Sequence, residues 1–304
     1  MSDRFQPGEP PEIWVEVFGA THVGRVREDN QDDFSVCDLE QGHSSLRPEH
    51  RRYPLRPGGA LFLVADGVGG MAGGSTASRL AIETLVKWCL ASKPAGASPV
   101  PGPRQVELLQ AAVAEAHEQI RRAAARNAQM AKMSTTLTAA LLAGPELFIA
   151  HVGDSRAYLC RGQQIEQLTR DHTLVQRLLE LGEITLEDAA RRTDRNLLTR
   201  TLGFDEQVSP DMLQVGLCRG DALVLCTDGL YTYVEPLEIR DLVAAEPDLA
   251  RLCHELIHRA NERGGADNST IVAVRLTGEG LPTAPENPAI QVNWLSEKSH
   301  FEAP

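Results

Sequence analysis

Asp66, Asp154 and Asp228 each close an apolar run beside a glycine: ALFLVADG at 60–67, ELFIAHVGD at 146–154 and ALVLCTDG at 222–229. Asp32 precedes the run FSVCD, and Asp267-Asn268 precedes STIVAVRL. A single Asp-Gly reads as a turn. Several carboxylates at strand ends read differently. If 34–38 and 60–66 are antiparallel neighbours, Asp32 and Asp66 share one end of a sheet, and the same logic sets Asp228 beside Asp267. Unpaired carboxylates so placed repel, and a hard divalent cation with oxygen ligands removes the conflict. Two such ions can share a hydroxide and hold a phosphoryl group for in-line attack. Upstream, in GRVREDNQDDF, Arg27 could offer a planar fork to a phosphate.

Two other motifs compete. Gly67-Val68-Gly69-Gly70-Met71-Ala72 fits the G-x-G-x-x-A turn of dinucleotide-binding folds, which needs a second strand ending in an acid some 20 residues further on. WCLASKPAG stands there, neither strand nor acid. HELIH at 254–258 matches the zinc-peptidase helix, but no third ligand follows at a suitable spacing. A helix core face of Leu249, Leu252, Leu256 and Ile257 explains that stretch more simply.

The elements that must position the aspartates are short. The runs 14–21, 34–38, 60–66, 136–143, 146–154, 222–228 and 269–276 are rich in β-branched and aromatic residues and read as strands. Ala77, Leu80, Ala81, Leu85 and Trp88 fall on one helical face, as do Val106, Leu109, Val113, Ala116 and Ile120 in a segment running to about 132. Between them, 92–104 is a Pro/Gly loop, and 235–244 and 248–262 read as helices. Without regular β-α-β alternation, this order favours antiparallel sheets with helices grouped outside them.

The 304 residues are 42% hydrophobic and 24% charged, with a net charge of −12, which argues against nucleic acid or an anionic membrane as partner. Six scattered cysteines without a C-x-x-C pair are expected to be buried, reduced thiols. No run approaches the ~18 to 20 apolar residues of a membrane span. The opening MSDRFQPGEPPEIW has no signal-peptide core, so a cytoplasmic protein is expected.

Taken in order, GRVREDNQDD, LVADGVGGMAGG, STTLTAALL, AHVGDSRAYL, LTRDHTLVQRLLELGEIT, RNLLTRTLG, LVLCTDGL and DNSTIVAV resemble the bacterial 2C-type metal-dependent serine/threonine protein phosphatases. The resemblance spans about 14–276, leaving 1–13 as an N-terminal extension and 277–304 as an expected flexible tail. It implies an α+β fold, a four-layer α-β-β-α sandwich of two mainly antiparallel sheets flanked by helices. Asp66 would bridge two Mn2+ or Mg2+ ions, with the Gly67 carbonyl beside it. Asp32 would serve the second metal, Asp228 and Asp267 the first, and Asp154 a third, looser one. Arg27 would bind the phosphate, and 170–203 would form the flap beside the site.

The implied partners are phosphorylated proteins made by a serine/threonine kinase, and the expected state is a monomer. The alternative is a degenerate domain of the same fold that only senses phosphoproteins, although its usual mark, lost metal aspartates, is missing. Two departures stand out. Val68 and Met71 occupy positions where relatives often carry a histidine proton donor, and Gln31 replaces a common glutamate. The basic loop 40–59, with Arg47, Arg51, Arg52 and Arg56, is expected at the far end from the metals. The tail residues Trp294 and Phe301 are expected to be unstructured.

Overall fold

The computed structural model describes residues 12–45, 51–69, 71–92, 102–285 and 289–296. The first strands are β1 (Trp14–His22), β2 (Asp32–Asp38), β3 (His43–Ser45), β4 (Arg51–Pro54) and β5 (Ala60–Val68). Helices α1 (Met71–Ala91) and α2 (Gly102–Arg126) follow, then β6 (Ser134–Thr135), β7 (Leu137–Ala143), β8 (Glu146–Val152), β9 (Arg156–Arg161) and β10 (Gln164–Gln167). Short helices α3 (Leu174–Glu180) and α4 (Leu186–Arg191) precede β11 (Asp211–Gly216) and β12 (Ala222–Cys226). The chain then runs through α5 (Asp228–Tyr231), α6 (Pro236–Ala245), α7 (Leu249–Glu262), β13 (Ser269–Thr277) and β14 (Val292–Trp294).

These strands form two antiparallel sheets, in the orders β10-β9-β12-β13-β1-β4 and β14-β11-β8-β7-β5-β2-β3, with β6 paired to β5. One core lies between the sheets, where Phe34, Phe62 and Val64 of one meet Val15, Val17, Leu223, Leu225, Val272 and Val274 of the other. A second joins the outer face of the β5 sheet to α1 and α2 through Leu61, Leu63, Ile82, Leu85, Leu109 and Ile120. A third joins the outer face of the β13 sheet to α6 and α7 through Tyr158, Val224, Ile239, Leu252, Leu256 and Ile271. The result is the expected four-layer α-β-β-α sandwich. Because β5 is covered on both faces, Ala60 to Ala65 are all buried, which is why this run is continuously apolar instead of alternating.

The helical faces read from spacing are the buried faces: Ala77, Ala81 and Leu85 on α1, and Leu109, Val113, Ala116 and Ile120 on α2. Helix α2 begins inside the expected Pro/Gly loop, at Gly102-Pro103, because proline is tolerated where first-turn N–H groups have no partner. It ends at Arg126, short of 132, and a 3-10 turn at Ala128–Met130 follows. All six cysteines are free and buried. No helix among the described residues is long and apolar enough to cross a membrane.

Part of the expected tail is strand. β14 pairs with β11 at the sheet edge, where Leu213 faces Trp294 and Val215 faces Val292. The apolar residues Ile290, Val292 and Trp294 pack on the inter-sheet core, and that burial outweighs the polar sequence around them. Phe301 lies outside the described residues. Of the basic loop, Arg51 and Arg52 lie on β4, which pairs with Val17 and Glu16 near the start of β1. That is the rim opposite His22 and Ser269. Arg47 lies outside the described residues.

Candidate metal centre

The ladder between β2 and β5 sets Asp32 directly across from Asp66, and at the other end Asp38 across from Ala60. Asp66 is fixed through its backbone: its N–H donates to Thr136 Oγ1 at 2.9 Å, and its carbonyl accepts from Thr136 N at 2.9 Å and Thr135 Oγ1 at 2.8 Å. Gly67 N donates to the Gln31 carbonyl at 3.1 Å. A Cβ on Gly67 would collide with the Gly74 carbonyl and lie 2.7 Å from the Gln31 oxygen, so the close turn into α1 requires glycine here.

Asp32 is buried, and one oxygen, Oδ2, accepts from Thr227 Oγ1 and Thr270 Oγ1, each at 2.7 Å. Both threonines belong to the opposite sheet region, at the end of β12 and in β13. The other oxygen, Oδ1, is buried without a partner, as is Asp228 Oδ1. Burial and the neighbouring acids push Asp32 up to about 7 despite the two hydroxyl donors, and Asp228 up to about 6 with Asp267 beside it. Burial, then Asp32, Asp228 and Asp154, hold Asp66 well above the usual carboxylate range. Asp154 is pushed up to about 8 by burial and by Asp228. Asp267 Oδ2 accepts from Arg27 Nη2 at 2.7 Å. All five aspartates of the sequence reading therefore share one rim of the sandwich, with Arg27 at its edge.

A family model described as Protein phosphatase 2C matches residues 52–271. The chain belongs to the protein phosphatase 2C family. It is 33% identical over 84% of its length to the serine/threonine phosphatase stp of Listeria welshimeri, covering 93% of that protein. The solved serine/threonine phosphatase PstP/Ppp of Mycobacterium tuberculosis superposes with a TM-score of 0.72 at 32% identity, over 87% of this chain and 99% of that one. A PstP catalytic domain in complex with two manganese ions matches with a TM-score of 0.69 at 31% identity, again over 87% and 99%.

In this member of the 2C family, the acidic rim is a set of neighbours and not a closed cage. Among the described residues, no three His, Cys, Asp or Glu side chains gather around one point. Here Asp267 leans on Arg27 while Asp32 leans on two hydroxyls. The residues nonetheless fit hard divalent cations. The donors are oxygens, the groups repel one another's ionisation, and the buried oxygens of Asp32 and Asp228 lack any other partner.

Asp154 sits in the turn between β8 and β9, and its placement depends on a residue the sequence reading passed over. His172 takes both backbone polar groups of Gly153: its N–H donates to the Gly153 carbonyl at 2.7 Å, and its Nδ1 accepts from Gly153 N at 3.0 Å. Gly153 has φ +103°, and a Cβ would lie 2.6 Å from Thr136. With Nδ1 accepting, the Nε2–H of neutral His172 faces Asp211 Oδ2 at 3.3 Å. Asp211 also accepts from Arg200 at 2.7 Å. Asp171 next door binds Arg156 in a two-pronged ion pair, and the Arg156 guanidinium lies 3.7 Å over the Tyr231 ring.

The segment 170–203 is thus rooted at both ends beside the rim. Leu202 pairs with Thr135, whose strand pairs with Gly67, and Thr199 N donates to the His172 carbonyl at 2.8 Å. Asn268, which the sequence marks only as the neighbour of Asp267, is a second positioning residue. It bonds Gln31 N, the Val23 carbonyl and the Asp29 carbonyl, and so fastens the Arg27 loop to the Asp267 turn. Its place directly after a rim aspartate was the available signal. Val68 ends β5 partly exposed and carries no proton to give. In the HELIH stretch, His254 and His258 are exposed on α7, and Glu255 is engaged by Arg259 at 2.8 Å.

Proposed function

We propose that the chain removes phosphate from phosphoserine and phosphothreonine on proteins that a serine/threonine kinase has modified, with two Mn2+ or Mg2+ ions held at the acidic rim. Asp66 would stand between the ions, with Asp32 and the Gly67 carbonyl towards one and Asp228 and Asp267 towards the other, while Asp154 offers a place for a third. Bound there, such ions supply an activated water as nucleophile and offset the charge that gathers on the phosphoryl oxygens. Arg27, whose side chain is 57% exposed and whose charge Asp267 secures, presents a fork to the phosphate and aligns it for attack. The departing alkoxide takes its proton from water at the open mouth, since Val68 offers none.

The paired positions of Asp32 and Asp66, which repel each other's ionisation, together with the orphaned Oδ1 of Asp32, carry this assignment. The test is hydrolysis of p-nitrophenyl phosphate and of a phosphothreonine peptide, in Mn2+ and in EDTA, by wild type and Asp66→Asn. Wild type should work only with metal. The substitution should cost more than the ~10- to 100-fold typical of an outer-shell partner. Activity that survives both chelation and substitution would end the assignment. A folded wild type that binds the phosphopeptide but turns over neither substrate in Mn2+ would favour a phosphoprotein sensor.

A further inference from the structure

Strand β14 is attached to the segment that frames the site. Trp294 lies across from Leu213 in the ladder, Leu295 N donates to the Met212 carbonyl at 2.8 Å, and Met212 N donates to Ser296 Oγ at 3.1 Å. The residue before Met212 is Asp211, which meets both roots of segment 170–203, His172 at one end and Arg200 at the other. On the face of the strand, the Arg170 guanidinium lies 4.1 Å from the centroid of the Trp294 ring. The Arg170 carbonyl accepts from His151 Nε2 at 2.9 Å, and the His151 ring lies 4.8 Å from that of His172. Burial, with His172 next, brings His151 down to about 3, so the ring is neutral and Nε2–H is the donor.

We propose that the C-terminal strand is a built-in brace for this segment, with Trp294 and Arg170 as positioning residues for the binding of phosphoprotein substrates. Trp294 grips the first root through Arg170. The β14 ladder holds Asp211, the post against which both roots lean. A small phosphate ester needs only the rim and Arg27, whereas a protein substrate must also meet segment 170–203, which stands beside the rim. The brace should therefore matter for large substrates and little for small ones. Which substrates suffer rests on the phosphatase proposal above; the brace itself rests on the contacts alone.

The experiment compares Trp294→Ala, Arg170→Met, their double variant, and the conservative Trp294→Phe and Arg170→Lys in the full chain. KM and kcat are measured for a phosphothreonine protein and for p-nitrophenyl phosphate, with amide hydrogen exchange over 170–175 and 198–203. Losing one cation–π contact should raise KM for the protein substrate about two- to five-fold. KM and kcat for the small ester should stay put, exchange at both roots should quicken, and the melting temperature should hold for Arg170→Met. The double variant should go no further than Trp294→Ala alone, because Arg170 meets the strand through that ring. The conservative variants should recover most of the effect.

Unchanged KM and unchanged exchange would overturn the brace. So would an equal loss on both substrates together with a lower melting temperature, which marks general destabilisation. Should wild type turn over neither substrate, the phosphatase proposal fails instead, and root exchange in the variants decides the brace by itself.

Discussion

Asp32 and Asp66 face each other across one rung of the β2–β5 ladder, and among the described residues neither forms an ion pair with a cationic side chain. Opposed carboxylates destabilise a ladder unless protonated or bridged. Asp32→Asn should therefore raise the melting temperature in EDTA while abolishing most of the further rise that Mn2+ gives wild type. Differential scanning calorimetry with and without metal reads both effects. A variant that melts lower in EDTA and still responds fully to Mn2+ would contradict the relationship.

Gly67→Ala places a methyl group against two carbonyl oxygens in a turn of buried backbone. Overpacking of this kind costs about 1 to 3 kcal/mol, and relief would have to come from β5 moving away from Gln31 or α1. Mn2+ affinity, measured by calorimetric titration, should fall along with stability. Gly216→Ala, where the backbone is not left-handed and only Glu146 Oε1, at 4.0 Å, lies near the added carbon, serves as the control for a glycine outside the rim.

The two nitrogens of His172 can be separated by substitution. Asparagine places its amide oxygen near the position of Nδ1, within reach of Gly153 N; glutamine reaches the position of Nε2, towards Asp211. His172→Gln should leave the Gly153 amide without its acceptor, at a cost of about 1 to 3 kcal/mol. Exchange of that amide should be faster in His172→Gln than in His172→Asn. Equal rates would mean that Gly153 is held by something else.

Asp211 carries the pH dependence of this region. Burial would raise its pKa, but the His172 hydrogen bond and the Arg200 guanidinium outweigh it and hold the carboxylate well below its ordinary 3.8. A depressed acid contributes stability that is fully present above the unfolded value and is lost as pH falls below it towards the folded value. The gap in melting temperature between wild type and Asp211→Asn should thus be constant from pH 7 to 5 and shrink below about 4. A gap that widens on acidification would reverse the assignment.

How much of this was legible beforehand follows from where each residue sits. The rim aspartates were readable because each ends or precedes an apolar run, and strand pairing then fixes who faces whom. Asp228 was placed at a strand end, and it opens the short helix α5 instead, two residues past the end of β12. The His172–Asp211–Arg200 cluster was not legible as a cluster, since His172 and Arg200 lie on irregular stretches, Asp211 opens β11, and only tertiary contact brings the three together. Strand β14 was invisible for another reason: it is three residues long, and its stability comes from the edge of β11 and not from its own pattern. Thr227 and Thr270 stood in plain view, but nothing in a strand-like run says that a hydroxyl will cross to a carboxylate on the other layer.

That crossing has a mechanical consequence. Asp32 belongs to one sheet and takes both hydroxyl partners from the other, so the two halves of the sandwich are latched at a single rim. Slack introduced anywhere between the layers, even beneath Phe62 or Leu276 far from the acids, would be felt at the latch as a change in the gap between Asp32 and Asp228. Appetite for divalent ions would then gauge how tightly the whole body is closed, and trimming a methyl group at the opposite rim would be felt as a change of chemistry.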